Sequence, residues 1–152
     1  MNSSGKKQKF KGAVTELYKA EEGTDKSIPL YSNKISAGFP SPAEDYIENR
    51  LDLNEYLIKN PSSTFFAKVQ GDSMVKVGIN DGDILIVDRS LEPVTGKIII
   101  GVLNGEFTVK RIIKKGKQFF LQPENDNFKP IEITNNPDFS IWGIVTHSIH
   151  KL

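Results

Sequence analysis

The chain has no cysteine. That excludes disulfides, Cys-ligated zinc and a thiol nucleophile, and it fits a reducing cytosol. Histidine is scarce, with only His147 and His150, both near the C-terminal end. Two such residues do not make a convincing metal site, and no metal or cofactor is expected. An excess of one charge is also missing. Twenty Lys and Arg against nineteen Asp and Glu leave a net charge of +1, which argues against a general nucleic-acid-binding surface. No apolar run approaches the roughly 18 to 20 residues that cross a bilayer. The longest, Ile98 to Leu103, is strand-sized, and the polar N-terminus lacks the apolar segment of a signal peptide. These absences predict a soluble, cytoplasmic protein with no membrane contact.

What is present supports one ordinary core. The chain has 152 residues, 38% of them hydrophobic, so one domain is the default. Residues 1–37 differ from the rest: Lys6, Lys7, Lys9 and Lys11 cluster there, and Ser, Gly and Thr are frequent up to Lys26. The segment reads as a flexible, solvated N-terminal arm. Any helix across Ala13 to Glu22 would be short and weakly amphipathic, and a helix-turn-helix domain with its own core would not fit. Pro40 and Pro42 favour an extended segment. Asp52 has the spacing of a helix N-cap before Tyr56, Leu57 and Ile58, and Pro61 ends that helix.

Beyond Pro61, strand signals dominate: 64–70, 83–88, 97–103, 106–114, 118–122, 131–133 and 139–149. Asp81-Gly82, Asn104-Gly105 and Lys115-Gly116 mark turns between them. Asn104-Gly105 is a strong hairpin signal, and it makes the segment holding Lys110 the second arm of a hairpin. Many short strands with turns predict a compact, mostly β fold with barrel-like or sandwich closure.

Two residues in this β-rich part carry possible chemistry. Ser73 lies in Gly71-Asp72-Ser73-Met74, just after an apolar strand. Lys110 lies in Phe107-Thr108-Val109-Lys110-Arg111-Ile112. A serine hydroxyl attacks poorly unless a base takes its proton, and a lysine can be that base only when neutral. Burial would favour the neutral amine. Such a pair suggests a Ser-Lys hydrolase, a variant of the serine triad. The N–H of Ser73 and that of Asp72 or Met74 could line an oxyanion hole; the sequence does not choose between them. Taken singly, such a serine is more often a turn residue and such a lysine more often faces solvent. Alternation leaves the face of Lys110 open, because Ile112 follows on its own side.

Other constellations are weaker. His147 and His150 read as strand-surface residues near a chain end rather than as a catalytic base. Asp81, Asp83 and Asp88 lack the spacing of a calcium loop and read as turn and strand-edge residues. Trp142 reads as core.

Four stretches, in this order, resemble motifs of the LexA-like self-cleaving Ser-Lys peptidases, and in particular their UmuD-type SOS mutagenesis branch. They are Ala37-Gly38-Phe39-Pro40-Ser41-Pro42-Ala43, Gly71-Asp72-Ser73-Met74, Asp81-Gly82-Asp83-Ile84-Leu85-Ile86-Val87-Asp88, and Asn104-Gly105-Glu106-Phe107-Thr108-Val109-Lys110. The resemblance runs from about Ser27 to the end and leaves the first 26 residues outside.

It implies a LexA-type peptidase domain over 38–152, with Ser73 as nucleophile, Lys110 as general base and Ala37–Gly38 as the scissile bond. The arm 1–37 would be removed by self-cleavage. The implied trigger is a RecA–single-stranded-DNA filament. The implied partners are a second copy in a homodimer and a UmuC-like Y-family polymerase in translesion synthesis. No sequence-specific DNA binding is expected. Two other functions stay open from sequence: a Ser-Lys peptidase acting in trans, similar to signal peptidases, and a catalytically silent binding module.

Overall fold

In a computed structural model, the structure describes residues 12–20, 23, 26, 28–31 and 47–152. The chain divides into two units, one of residues 1–20 with 60–152 and one of residues 21–59. Ala37, Gly38 and the proline segment after them lie outside the described residues.

The smaller unit pairs two strands, β2 (Ile28–Tyr31) and β3 (Ile47–Leu51), antiparallel with Ile28 opposite Leu51. Helix α1 (Leu53–Leu57) follows. Its first turn is held as the sequence suggested: the Asp52 carboxylate accepts from the N–H groups of Asn54 and Glu55. A side-chain oxygen at that position satisfies donors that a helix start leaves open.

The larger unit is one eight-stranded sheet that curls into a half-barrel. Its strands are β1 (Val14–Lys19), β4 (Thr64–Val69), β5 (Ile84–Asp88), β6 (Ile98–Leu103), β7 (Glu106–Lys115), β8 (Gln118–Gln122), β9 (Ile131–Glu132) and β10 (Phe139–Ile149). They lie in the order β1-β4-β5-β10-β6-β7-β8-β9, with every pair antiparallel. The expected mostly β, LexA-type architecture is therefore present, and the seven strands anticipated after Pro61 all form.

The β6–β7 hairpin turns at Asn104 and Gly105, whose φ angles are 52° and 78°. Two successive positive φ values match the right-handed twist of the flanking strands, and Asn-Gly is the pair that adopts them most readily. The hairpin register places Ile99 of β6 directly opposite Lys110 of β7.

The sheet carries core on both faces. One cluster gathers Val14, Val69, Met74, Leu85, Ile100 and Val109. A second holds Ile99, Ile112, Leu121, Ile133 and Ile144. β7 contributes to both, so Val109, Lys110 and Ile112 are all buried. Trp142 is half-buried rather than enclosed. It packs edge-on against Phe65 and Phe107, with the Arg89 guanidinium 4.6 Å from its ring centre.

One element departs from expectation. Residues 14–19 form a strand, not a weak helix. Val-Thr-Glu-Leu-Tyr-Lys is rich in β-branched and aromatic side chains, and its helical pattern was poor from the start.

Candidate active site

Ser73 follows β4 in a tight turn. Gly71 takes a φ of 94°, which only glycine adopts without strain, and its N–H is tied to the Asp81 carboxylate at 2.7 Å. Met74, only 2% exposed, plugs the turn into the first core cluster. Both carbonyls flanking Ser73 are fixed by the loop after β8. Asn125 Nδ2 donates to the Asp72 carbonyl at 2.8 Å, and Glu124 N–H donates to the Ser73 carbonyl at 2.8 Å. The Glu124 carboxylate is itself held by Arg111 Nε on β7. The 124–125 loop is thus a strut between the serine turn and the lysine strand. Nothing in the spacing of Pro123-Glu124-Asn125 announces that role.

A trans peptide points its N–H opposite to its carbonyl. Anchoring the carbonyls of Asp72 and Ser73 toward the strut therefore turns the N–H groups of Ser73 and Met74 the other way. Among the described residues, the backbone N–H groups of Asp72, Ser73 and Met74 have no acceptor. Amide donors left open in the turn that carries a serine hydroxyl are the kind of group an oxyanion site uses.

Lys110 reaches the serine from β7. Its Nζ donates to Ser73 Oγ at 3.0 Å, to Thr108 Oγ1 at 2.9 Å and to the Val109 carbonyl at 3.0 Å. Lys110 is 8% exposed, and among the described residues it forms no ion pair. Burial pushes its amine below the ordinary lysine value, because a low-dielectric surround disfavours the ammonium and no carboxylate offsets that cost. Thr108 went unmarked by sequence reasoning. Its signal was available, since residues two apart on a strand share a face.

These contacts would allow a proton to pass between the serine and a neutral amine. The Val109 carbonyl can only accept, so it takes one N–H. Where Thr108 Oγ1 takes a second, the position left on the neutral amine is a lone pair able to accept from Ser73 Oγ–H. Ser73 and Lys110 open onto a cleft of about 480 Å³ lined also by Gly12, Ala13, Gly71 and Phe128.

The other polar candidates sit elsewhere. His147 Nδ1 contacts Thr146 Oγ1 at 3.0 Å, and His150 Nδ1 meets the Asp83 carboxylate at 2.6 Å. Asp83 also accepts from Asn80 N–H at 2.8 Å. Asp88 is buried, but bonds from Asn60, Ser90 and Ser63 outweigh that desolvation and hold its carboxyl below the ordinary value. The three aspartates are thus spent on turns and strand ends. Among the described residues no group of His, Asp or Glu is arranged to hold a metal ion, and no helix is long and apolar enough to cross a membrane.

The Peptidase S24-like family matches residues 29–146 of the chain. Protein MucA of Salmonella typhimurium is 46% identical over 124 residues, covering 81% of this chain and 84% of that protein. Protein SamA of Salmonella typhimurium (strain LT2) is 41% identical over 133 residues, covering 86% and 91%. The LexA repressor of Pasteurella multocida is 35% identical over 137 residues, covering 89% of this chain and 64% of the repressor.

Proposed function

The chain belongs to the peptidase S24-like family, and on that premise we propose that it cuts itself between Ala37 and Gly38 with a Ser73–Lys110 dyad. It does so as an accessory subunit of an error-prone translesion polymerase in the SOS response. The observation that carries the chemistry is the 3.0 Å hydrogen bond between a serine hydroxyl and a buried lysine that forms no ion pair among the described residues. The biological role rests on the resemblance of the motifs to UmuD-type proteins. The trigger is a RecA–single-stranded-DNA filament, and the partners are a second copy and a UmuC-like Y-family polymerase.

The reaction runs in two halves. Ser73 Oγ attacks the Ala37 carbonyl carbon while Lys110 Nζ takes the hydroxyl proton. The oxyanion is met by amide N–H groups of the Asp72–Ser73 turn. Collapse breaks the Ala37–Gly38 bond, and Lys110 returns the proton to the departing Gly38 amine. Water then hydrolyses the Ser73 ester, again with Lys110 taking a proton, and leaves an Ala37 carboxylate. Presenting the bond from the same chain raises its effective concentration at the nucleophile. The filament contributes by favouring the placement of the arm that allows cleavage, a population shift rather than new catalytic groups.

Incubating the purified chain with activated RecA filaments and weighing the product tests this. The expected product begins at Gly38 and runs to Leu152. Cutting of added peptides in preference to its own chain would favour a trans-acting peptidase, and no cut at all a silent module. Gly38→Val puts a β-branched side chain where extended backbone must enter a narrow cleft, and it should slow the cut on the order of tenfold or more. An unchanged rate in that variant would relocate the scissile bond.

Thr108 gives a separate test. Its hydroxyl accepts from Lys110, and such a bond favours the charged amine over the neutral one. Thr108→Val should therefore move the pH midpoint of cleavage downward. It should also lower the plateau rate about tenfold, because Nζ loses one of the contacts that aim its lone pair. A pH–rate profile identical to that of the wild type would remove Thr108 from the site.

A further inference from the structure

Strand β1 lies upstream of Ala37–Gly38, yet it completes the sheet of the peptidase body. It is the outermost strand on its side, antiparallel to β4, with Val14 opposite Val69 and Leu17 opposite Ala67. Val14 is fully buried in the cluster of Val69, Met74 and Val109, and Ala13 and Leu17 pack on its margin. A bulge at Thr15 shifts the register between Val14 and Glu16. One extra residue in a strand reverses the side-chain alternation, which is why the next inward residue is Leu17, three positions on rather than two.

Main-chain groups complete the seat. Ala13 N–H donates to the Phe107 carbonyl at 2.7 Å, Gln70 N–H to the Ala13 carbonyl at 2.8 Å, and Ala20 N–H to the Thr64 carbonyl at 3.0 Å. Gln70 Nε2 donates to the Gly12 carbonyl at 2.7 Å. Gly12 passes β7 so closely that a Cβ there would stand 2.1 Å from the Phe107 oxygen.

Removal of residues 1–37 would take all of this away. β4 would become the edge of the sheet, Gln70 N–H and the Thr64 carbonyl would lose their bonds to Ala13 and Ala20, and the slot of Val14 would stand open. Unpaired backbone beside an apolar slot is costly and is a template for another strand.

We propose that the β4 edge is a strand-accepting site, filled by β1 in the uncut chain and taken, after the cut, by an extended segment of a partner protein. The inference rests on the proposed cleavage at Ala37–Gly38. The occupant runs antiparallel to β4, and β1 is its template: glycine and a small residue at the entrance, a valine, a leucine three residues on, and a small residue at the exit. Main-chain bonds to β4 supply affinity, and the Val14 and Leu17 positions supply selection. A second copy pairing through its own β4 fits less well. Thr-Phe-Phe-Ala-Lys-Val offers no valine and leucine at that spacing, so it does not reproduce the side chains that β1 places there.

The probe is a fluorescent synthetic peptide of residues 12–20. The full chain is allowed to cut itself, the fragments are separated by size exclusion, and binding is read by anisotropy. The cut protein should bind the peptide on the order of a hundredfold more tightly than the uncut protein, in which β1 competes at high effective concentration. A Val14→Asp peptide should not bind. A second arm needs no cut. Full-length Ser73→Ala carrying Leu17→Asn or Val14→Asp in its own β1 should gain peptide binding, the former being a milder change that keeps the arm usable if Val14→Asp unfolds. No binding in either arm overturns the proposal. So does the 1–37 fragment staying with the body after the cut, or a cut protein that self-associates through β4 and is dispersed by the peptide. A chain that never cuts itself counts against the peptidase reading, while the second arm still decides the seat.

Discussion

Ser73→Ala should abolish cleavage at Ala37–Gly38 and leave the fold intact. The hydroxyl is half-buried, its side-chain bond is the one from Lys110, and the turn that carries it is held by other groups. Met74 anchors it in the core, Asn125 and Glu124 hold its carbonyls, and Asp81 holds Gly71 N–H. Deleting one oxygen from that frame should cost less than about 1.5 kcal/mol of stability. The chemical consequence is far larger. On the proposed mechanism no acyl-enzyme forms without Ser73, and loss of a triad nucleophile costs on the order of 10⁴-fold or more. Lys110 would then meet an empty position, and its neutral form would gain from losing an acceptor. Cleavage on a gel and the thermal melt by circular dichroism give the two readouts. A folded Ser73→Ala protein that still yields a product beginning at Gly38 would remove Ser73 from the mechanism.

Much of the fold was legible because β patterns in this chain are local. Asn104-Gly105 names its own turn, Asp52 its own helix cap, and each run between Gly-containing turns is long enough for one strand. The face of Lys110 was not legible, for a physical reason. β7 buries Val109 on one face and Lys110 and Ile112 on the other, and a strand covered on both faces shows no alternation to read. β1 was missed for a different reason. Its pairing to β4 joins residues about fifty apart, and the bulge at Thr15 breaks the two-residue period a strand is recognised by. Basic, polar flanks then made the whole segment resemble an unpaired arm.

The candidate site divides the same way. Ser73 and Lys110 were nameable because a serine in a Gly-Asp-Ser-Met turn and a lysine in an apolar strand are unusual together. That the two would meet was suggested by their residue types and implied again by the resemblance, and it is the reach of the Lys110 side chain from β7 that brings its Nζ to within 3.0 Å of Ser73 Oγ. The supporting contacts exist only in the folded chain. Glu124 and Asn125 act through backbone carbonyls fifty residues away, and backbone partners leave no trace in side-chain type. Thr108 could have been marked by its two-residue offset from Lys110, but that inference needs the lysine's face first.

Cleavage should accelerate with pH, and the sign follows from which form of Lys110 can work. An ammonium donates to all three of its acceptors and has no lone pair, so it cannot take the Ser73 proton. Only the neutral amine can. Below the amine's pKa, the rate without filament should rise about tenfold per pH unit, then level off above it. Because burial lowers that pKa, the plateau should begin below the ordinary lysine value. Lys110→Met should erase the rising limb and reduce the plateau on the order of 10³-fold or more, since it removes the proposed general base. Stability should follow a linked course. The unfolded chain keeps the lysine protonated up to its ordinary pKa, whereas the folded chain releases the proton earlier. Between those two values the unfolded state binds more protons, so stability rises with pH through that window. Below the folded value the cost of the buried ammonium is fully present. Lys110→Met lacks that cost, and it should be at least as stable as the wild type at neutral pH and lack the alkaline rise. Denaturant melts at neutral and alkaline pH, run beside the cleavage profile on both proteins, separate the two effects. A wild-type rate that stays flat across a range where the protein remains folded would exclude Lys110 as the base, and a Lys110→Met protein that keeps the rising limb would assign it to another group.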